Sequence, residues 1–241
     1  MSRTKKLDLI KSSYRLAALI ILISININTL SAQIVGVVKK GGAPKEKGTP
    51  IGTTKTTTHS IGESYGGGIV FFVYDNGQHG LIAAKTDQST GIEWGSDSYK
   101  YTRAMADGVG AGLKNTAIII ATQVALDRNK NLDPNTYAAS ICNEYSVRVD
   151  GVTYGDWYLP SKHELNLMYA NIGQGALSPN TNIGGFGNHD YWSSTEANAF
   201  QNEVAKAEGY YLFAWMQRFH NGTQDYGVKN GNLYVRAIRA F

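Results

Sequence analysis

Residues 189–197 have the sequence HDYWSSTEA, which combines two large aromatic rings, three aliphatic hydroxyls and acidic side chains in one short run. Successive side chains of an extended strand alternate between its two faces. We therefore expect Trp192 on one face of a strand and Tyr191 on the other. Burial of a large side chain contributes roughly 1.5–3 kcal/mol, so the run favours a packed framework over a catalytic centre.

The segment SKHELNLMYANIG, residues 161–173, predicts an amphipathic helix. Ser161 and Glu164 have the S-x-x-E spacing of a capping box. Gly173 is the expected stop signal. Apolar residues recur at i, i+3, i+4 and i+7, namely Leu165, Met168, Tyr169 and Ile172.

The remaining elements favour an α+β fold. GGIVFFVY and GLIAAK flank DNGQ, with Asn76-Gly77 at its centre, and predict a hairpin. Two further helices are expected, one capped by Asn115 or Thr116 and one with Asn135 at its start. GYYLFAWMQRFH, TQDYGVK and NLYVRAIRAF predict a C-terminal meander of antiparallel strands. The predicted domain has two to three helices, and its antiparallel strands gather the two ends of the chain.

Residues 1–60 predict export followed by a tether. Residues 1–32 have a basic start, the apolar run LAALIILISI and small residues before Gln33, which is typical of a signal peptide cleaved near Ala32. The alternative is an uncleaved N-terminal anchor. Residues 33–60 are rich in Lys, Thr and Gly and predict a flexible linker that is dispensable for folding. The folded domain is expected at 61–241, in a protein that is secreted, periplasmic or on the cell surface, with no membrane span after cleavage.

The charge is divided unevenly along the chain. The chain has 23 Lys and Arg against 19 Asp and Glu, but residues 61–241 hold 13 and 17 of these, a net charge of −4. A basic protein is usually expected to bind nucleic acid or another polyanion. Because the basic excess lies in the signal and the linker, we expect no nucleic-acid partner. We also expect that deleting residues 33–60 abolishes any polyanion binding.

Cysteine and histidine usage excludes several chemistries. Cys142 is the only cysteine and is expected to be buried, so the chain lacks a disulfide and a redox pair. Neither an H-E-x-x-H nor a G-x-S-x-G motif occurs. We therefore predict no catalytic residue, metal ligand or cofactor. The alternating Asp127 to Asp133 segment has a calcium-loop spacing but lacks the required glycine and bidentate glutamate, and calcium binding stays open there.

Four motifs occur in order, GDWYLPSKHEL, YWSSTE, FAWMQRFHNG and VRAIR. In this arrangement the chain resembles the Lcl C-terminal domain family of bacterial collagen-like adhesins, long catalogued as a domain of unknown function. The resemblance covers about residues 61–241. It implies a fold similar to the C-type-lectin-like and formylglycine-generating-enzyme group, and a secreted or surface role that includes glycan adhesion in some members. The chain has no Gly-X-Y stem, so trimerisation is not implied and the oligomeric state stays open.

The polar and aromatic residues of the motifs are expected to form the framework. We expect the tryptophans in the core and the others in caps or ion pairs: Trp157, Trp192 and Trp215, with Ser161, Glu164, Glu196, Arg236 and Arg239. Ligand contacts are expected outside the motifs, in IEWGSDSYKYTR, where flat rings stack on sugar faces beside charged groups. These candidates are Trp94, Asp97, Tyr99, Tyr101 and Arg103. The alternative is that their rings cover an edge of the core.

The expected function is that of a non-enzymatic, adhesin-like recognition module, which binds a glycan or a surface protein. A neutral glycan or a protein is favoured over a polyanion because the domain is net negative. One alternative is a structural component of a cell-envelope assembly. The other is an enzyme related to the formylglycine-generating group, whose chemistry needs a cysteine pair that this chain does not have.

Overall fold

The computed structural model describes residues 57–96, 100–126, 136–197 and 211–241. The predicted α+β class is confirmed, and the arrangement is compatible with the C-type-lectin-like group. Within the described ranges the helices are α1 (Ala111–Leu126), α2 (Ala138–Glu144) and α3 (Lys162–Ile172). The strands are β1 (Ser64–Tyr65), β2 (Gly68–Tyr74), β3 (His79–Ala84), β4 (Ser89–Ile92), β5 (Val147–Val149), β6 (Val152–Tyr154), β7 (Asp190–Ala197), β8 (Phe213–Arg218), β9 (Gln224–Val228), β10 (Leu233–Val235) and β11 (Ile238–Ala240).

The first sheet contains both ends of the described domain. Its order is β1-β2-β3-β11, and its pairs are antiparallel. The predicted β2–β3 hairpin is confirmed, with Asn76 and Gly77 in the left-handed region at φ 53° and 82°. Because β11 pairs with β3, the last strand of the chain lies beside the first hairpin, as predicted. β5 and β6 form a separate two-stranded hairpin.

The second sheet has the order β4-β10-β7-β8-β9 and is antiparallel except for the β10–β7 pair. The predicted strand NLYVRAIRAF differs from the structure because it divides into β10 and β11, which belong to different sheets. Its buried residues explain the division: Val235 packs in one core cluster and Ile238 in the other. Only β8 and β9 therefore form a simple hairpin in this region.

Strand β7 lies between two hydrophobic clusters. Trp192 is fully buried in the first cluster together with Trp157, and Tyr191 is fully buried in the second. The alternation predicted for YWSSTE is therefore confirmed. The prediction that Trp215 is a core residue is wrong. Because its neighbours on β8 point inward, Trp215 is only half-buried, and Lys162 Nζ lies 3.8 Å from the centre of its ring.

The start of α3 confirms the capping box. The Ser161 side chain accepts from the Glu164 amide, the Glu164 side chain accepts from the Ser161 amide, and Gly173 follows the last helical residue. The predicted caps of α1 are wrong, because that helix begins at Ala111 and contains Asn115 and Thr116 in its interior. Instead, the side chains of Asn115 and Thr116 form hydrogen bonds to other segments of the chain. The Asn115 amide group donates to the Ala106 carbonyl at 2.7 Å, and the Thr116 hydroxyl accepts from the Leu159 amide at 3.1 Å.

His59, just before the predicted start of the domain, packs against the folded region. His59, assigned from the sequence to the linker, has a side chain only 6% exposed. Its ring stacks on Tyr65 at 3.7 Å, and its amide donates to the Gly77 carbonyl at 2.8 Å. His59 therefore packs with the hairpin. The proposed signal peptide, residues 33–56 of the predicted linker and Asn135 lie outside the described residues.

Candidate functional site

The structure describes three of the five candidate ligand residues, and two of these three lie at the surface. Trp94 is 0% exposed and its indole Nε1 donates to the Ser193 carbonyl at 2.8 Å, so its prediction as a ligand contact is wrong and its ring is part of the core. Asp97 and Tyr99 lie outside the described residues. Tyr101 and Arg103 lie together at the surface.

Tyr101 and Arg103 belong to a segment whose side chains alternate between outward and inward from Tyr101 to Met105. We call Lys100–Met105 the presented segment. Thr102 and Ala104 are buried, whereas Arg103 and Met105 are exposed and Tyr101 is half-buried. Arg103 has φ of 66°, a left-handed conformation that is uncommon for residues other than glycine. Such a conformation persists when the surrounding contacts impose it.

Glu196, at the end of β7, supplies those contacts. Its carboxylate accepts from the Thr102 amide and hydroxyl, both at 3.0 Å, and from the Arg103 amide at 2.8 Å. Its own amide donates to the Ala104 carbonyl at 2.8 Å. The last acidic residue of the YWSSTE motif thus holds the inner side of the presented segment.

Lys229 adds to the contacts that Glu196 makes, and we call these two side chains the anchor. Its ammonium group forms an ion pair with Glu196, donates to the Lys100 carbonyl at 2.9 Å and lies 4.7 Å from the centre of the Trp94 ring. The two side chains are 1% and 0% exposed. Burial of such a pair costs desolvation energy that its attraction barely offsets, so its net contribution to stability is small. The pair instead determines where the presented segment lies.

The outer side of the presented segment carries stacked aromatic rings. Tyr101 stacks on Tyr211 with ring centres 3.9 Å apart and an angle of 14° between planes. The Tyr101 hydroxyl contacts Met105 Sδ at 3.0 Å, and the Arg103 guanidinium lies 5.8 Å from the Tyr101 ring. Sequence reasoning missed Tyr211, because a residue so distant in the chain gives no local signal of this contact.

The hydroxyls of YWSSTE connect structural elements. The Ser193 hydroxyl donates to the Trp215 carbonyl at 2.8 Å, and the Thr195 hydroxyl accepts from the Lys162 amide at 3.0 Å. The pairing register of β7 and β8 shifts between Trp192 and Glu196, which is typical of a bulge. These hydroxyls join β7 to β8 and to the start of α3.

Glu164 is buried and caps two helices. Its carboxylate accepts from the amides of Gly110 at 2.7 Å, Gly112 at 3.1 Å and Ser161 at 2.7 Å. Burial raises the pKa of the Glu164 carboxyl above its usual value, and these amide hydrogen bonds oppose that shift. Its contacts are those of a cap.

The two C-terminal arginines form ion pairs. Arg236 Nε donates to Asp87 at 2.6 Å, and Arg239 binds both carboxylate oxygens of Asp156, at 2.6 and 3.0 Å. Burial favours the neutral acid at Asp156, but the Arg239 guanidinium outweighs it and holds the pKa of that carboxyl below its usual value. Together, these pairs tie the C-terminal strands to the loops after β3 and β6.

Potential reactive groups are sparse in the described ranges. The Cys142 side chain is fully buried, and burial raises the pKa of its thiol far above the usual value. Within residues 57–96, 100–126, 136–197 and 211–241, no group of three or more His, Cys, Asp or Glu is arranged to hold a metal ion. The Asp127 to Asp133 segment lies outside these ranges. Among the described helices, none is both long and apolar enough to cross a membrane.

Comparison with known proteins identifies the family. The model of the Lcl C-terminal domain matches residues 83–239, which is well over half of the chain. The matched region runs from β3 to β11 and includes the anchor formed by Glu196 and Lys229. No curated protein matches the chain. The family match agrees with the order of the four sequence motifs, and the chain belongs to the Lcl C-terminal domain family.

Proposed function

We propose that this protein is an exported, non-enzymatic recognition module, which binds a glycan or a surface protein through the presented segment. The buried Glu196–Lys229 pair is the observation that carries the proposal. Three hydrogen bonds to the Glu196 carboxylate and one from Lys229 hold the inner side of a segment whose outer side displays Tyr101, Arg103 and Met105.

Pre-ordering is the physical benefit of this anchor for binding. Association loses free energy whenever a loop or a long side chain must be immobilised, at about 0.5–1.5 kcal/mol per side chain. The anchor imposes the left-handed backbone at Arg103 before a ligand arrives, and Tyr211 holds the Tyr101 ring by stacking. A surface built in this way is suited to recognition.

The chemistry of the surface favours a neutral glycan or a protein as ligand. Flat tyrosine rings pack on the C–H face of a sugar or on apolar side chains, and Arg103 supplies donors for one polar or anionic group. Long-range attraction for a polyanion is weak, because residues 61–241 have a net charge of −4. Lys229, Arg236 and Arg239 are also engaged in ion pairs.

One further observation supports export, and another supports a non-enzymatic role. Residues 1–32 have the layout of a secretory signal. Cys142 is buried with a raised thiol pKa, which makes it unsuited to nucleophilic or redox chemistry.

A glycan array probed with the purified protein, with and without calcium, tests the proposal. We expect hits among neutral glycans, and a loss of at least about tenfold in affinity in the double variant Tyr101→Ala/Arg103→Ala. The matched control is Tyr74→Ala/Arg148→Ala, which removes an exposed tyrosine and an exposed arginine elsewhere on the surface. Equal losses in both double variants, or no loss in the first, would contradict recognition through the presented segment.

A further inference from the structure

A shallow surface concavity lies at the opposite end of β7 from Glu196. It measures about 350 Å³, and we call it the histidine concavity. His189 and Asp190 line it from the start of β7, and His220 lines it from the turn after β8. Asn232 and Tyr234 line it from β10 and the turn before it. Its volume is near the lower end of the range of about 300–1,000 Å³ that small-molecule sites occupy, and it is open to solvent.

One wall of the histidine concavity is a stacked pair of rings. The His189 imidazole lies parallel to the Tyr234 ring, with centres 3.9 Å apart and an angle of 8° between planes. Gly187 permits this position, because a Cβ there would collide with His189 Cδ2. The imidazole is therefore held between the Gly187 backbone and Tyr234 although His189 is exposed.

The polar groups around the ring pair are available to a ligand. Within the described residues, the side chains of His189, Asp190, His220 and Asn232 make no hydrogen bond or ion pair. The carboxylates of Glu164 and Glu196, in contrast, each accept at least three hydrogen bonds from the protein. Several uncommitted donors and acceptors thus converge on one surface.

The charge and composition of the concavity select the class of ligand. Neither lysine nor arginine lines it, and Asp190 gives it one negative charge when both imidazoles are neutral, so an anionic ligand is disfavoured. A metal ion is disfavoured as well, since its two histidines and one aspartate are not arranged as a metal-binding group. An uncharged pyranose suits this lining, because its C–H groups pack against the exposed edge of the ring pair and its hydroxyls bond to carboxylate, amide and imidazole groups.

We propose that the histidine concavity binds one uncharged pyranose unit. The proposal rests on the recognition function proposed above and adds to it a ligand class and a second contact, separate from the presented segment. Asp190 and Glu196 lie at the two ends of β7, so a substitution in one surface leaves the side chains of the other unchanged. The two proposals are therefore tested by different variants.

The test is an NMR titration of the ¹⁵N-labelled protein with a panel of uncharged methyl hexopyranosides. We expect at least one glycoside to cause saturable shifts in the amides of residues 187–190, 220 and 232–234. Its affinity should be equal at 0.1 and 0.5 M NaCl, because an uncharged ligand has no screened attraction. His189→Ala and Asn232→Ala should each weaken binding about tenfold, which corresponds to about 1.4 kcal/mol.

Gly187→Ala tests the position of the His189 ring specifically. It keeps every lining side chain, and its added Cβ would collide with the His189 ring and displace it. We expect a similar tenfold loss from it, whereas Tyr101→Ala/Arg103→Ala should leave this affinity unchanged. Melting temperatures verify that all variants fold, and Asn232 and His189 are exposed positions where truncation is tolerated.

Three results would overturn the pyranose site. One is that no glycoside of the panel causes saturable shifts in these amides. Another is that the three single variants bind as tightly as the wild type. The last is that methyl glucuronide or Zn²⁺ binds the concavity more tightly than every neutral glycoside. Each of these results leaves the recognition function to be judged by the Tyr101→Ala/Arg103→Ala variant on the array.

Discussion

The Glu164 carboxylate, in the first turn of α3, accepts a hydrogen bond of 3.1 Å from the backbone amide of Gly112, in the first turn of α1. The same carboxylate closes the capping box with Ser161. One buried side chain therefore satisfies amides at the starts of two helices that are far apart in the sequence. Free amides at a helix start otherwise need water or another acceptor.

Ser161→Ala removes the hydroxyl that accepts from the Glu164 amide and donates to the Gly108 carbonyl. We expect a loss of about 1 kcal/mol in the free energy of unfolding, as is typical for loss of a helix cap. Urea denaturation measures it. Ser64→Ala, at an exposed serine, is the control and should change the stability by less than about 0.5 kcal/mol. Equal stabilities of the two variants would show that the cap contributes nothing.

Glu164→Gln should destabilise the protein more than Ser161→Ala. The new amide group turns at least one donor toward the amides of Gly110, Gly112 and Ser161, and a buried donor without an acceptor costs about 1–3 kcal/mol. We expect a loss of about 2–3 kcal/mol in urea denaturation. Glu144→Gln, at the exposed end of α2, is the matched control. A loss no larger than that of the control would contradict the double cap.

Lys229→Met leaves the Glu196 carboxylate buried without its cation. Breaking a buried pair in this way typically costs about 3–5 kcal/mol. We expect a loss in this range in urea denaturation, together with weaker glycan binding under conditions where the variant is folded, since the presented segment loses its anchor. Lys114→Met, at an exposed lysine of α1, is the control. If a folded Lys229→Met variant bound the glycan as tightly as the wild type, recognition would not depend on the anchor.

Asp156→Asn should destabilise the protein at neutral pH but not in acid. Arg239 holds the pKa of Asp156 below its usual value of 3.8, so the ionised pair stabilises the folded state above that value. As the pH falls from 3.8 through the lower folded pKa, the wild type loses this contribution. We expect the difference in stability between wild type and Asp156→Asn to shrink across that window. A difference that is constant from pH 7 to pH 2 would show that the pair has another role.

Binding to heparin should depend on the tail and not on the domain. The wild-type chain and a variant with the five lysines of residues 33–60 changed to glutamine differ only in tail charge, at Lys39, Lys40, Lys45, Lys47 and Lys55. We expect weak retention of the wild type on a heparin column at low salt and none of the variant, because counterion release requires clustered cations. Retention of the variant at physiological salt would indicate a polyanion site in residues 61–241.

Predictions that rest on short-range patterns agree with the structure. The hairpin around Asn76 depends on turn residues that favour the left-handed conformation, and the start of α3 depends on the spacing between Ser161 and Glu164. The strand alternation of Tyr191 and Trp192 is equally local. In each case, the interacting groups lie within a few residues of one another, so the sequence displays the interaction directly.

Several predictions that depended on the position of a distant partner were wrong. Asn115 has the chemistry of a cap, but α1 begins earlier because Glu164 satisfies its first amides. The sequence predicts Trp94 as a ligand contact and Trp215 as a core residue, whereas Trp94 is fully buried and Trp215 is only half-buried. Composition and spacing do not distinguish these two tryptophans, since burial depends on which elements pack against each ring.

The sequence by itself determined the family, the α+β class, the turn of the first hairpin, the cap of α3, and the division of charge between residues 1–60 and the domain. Only the tertiary structure decided which polar residues form buried anchors and which face solvent. It joins Glu196 to Lys229 and to the presented segment, and it brings His189, His220 and Tyr234 to one concavity. The physical reason is that both arrangements join residues that are distant in the sequence, and their geometry arises only when the strands pair and the two clusters pack on either side of β7.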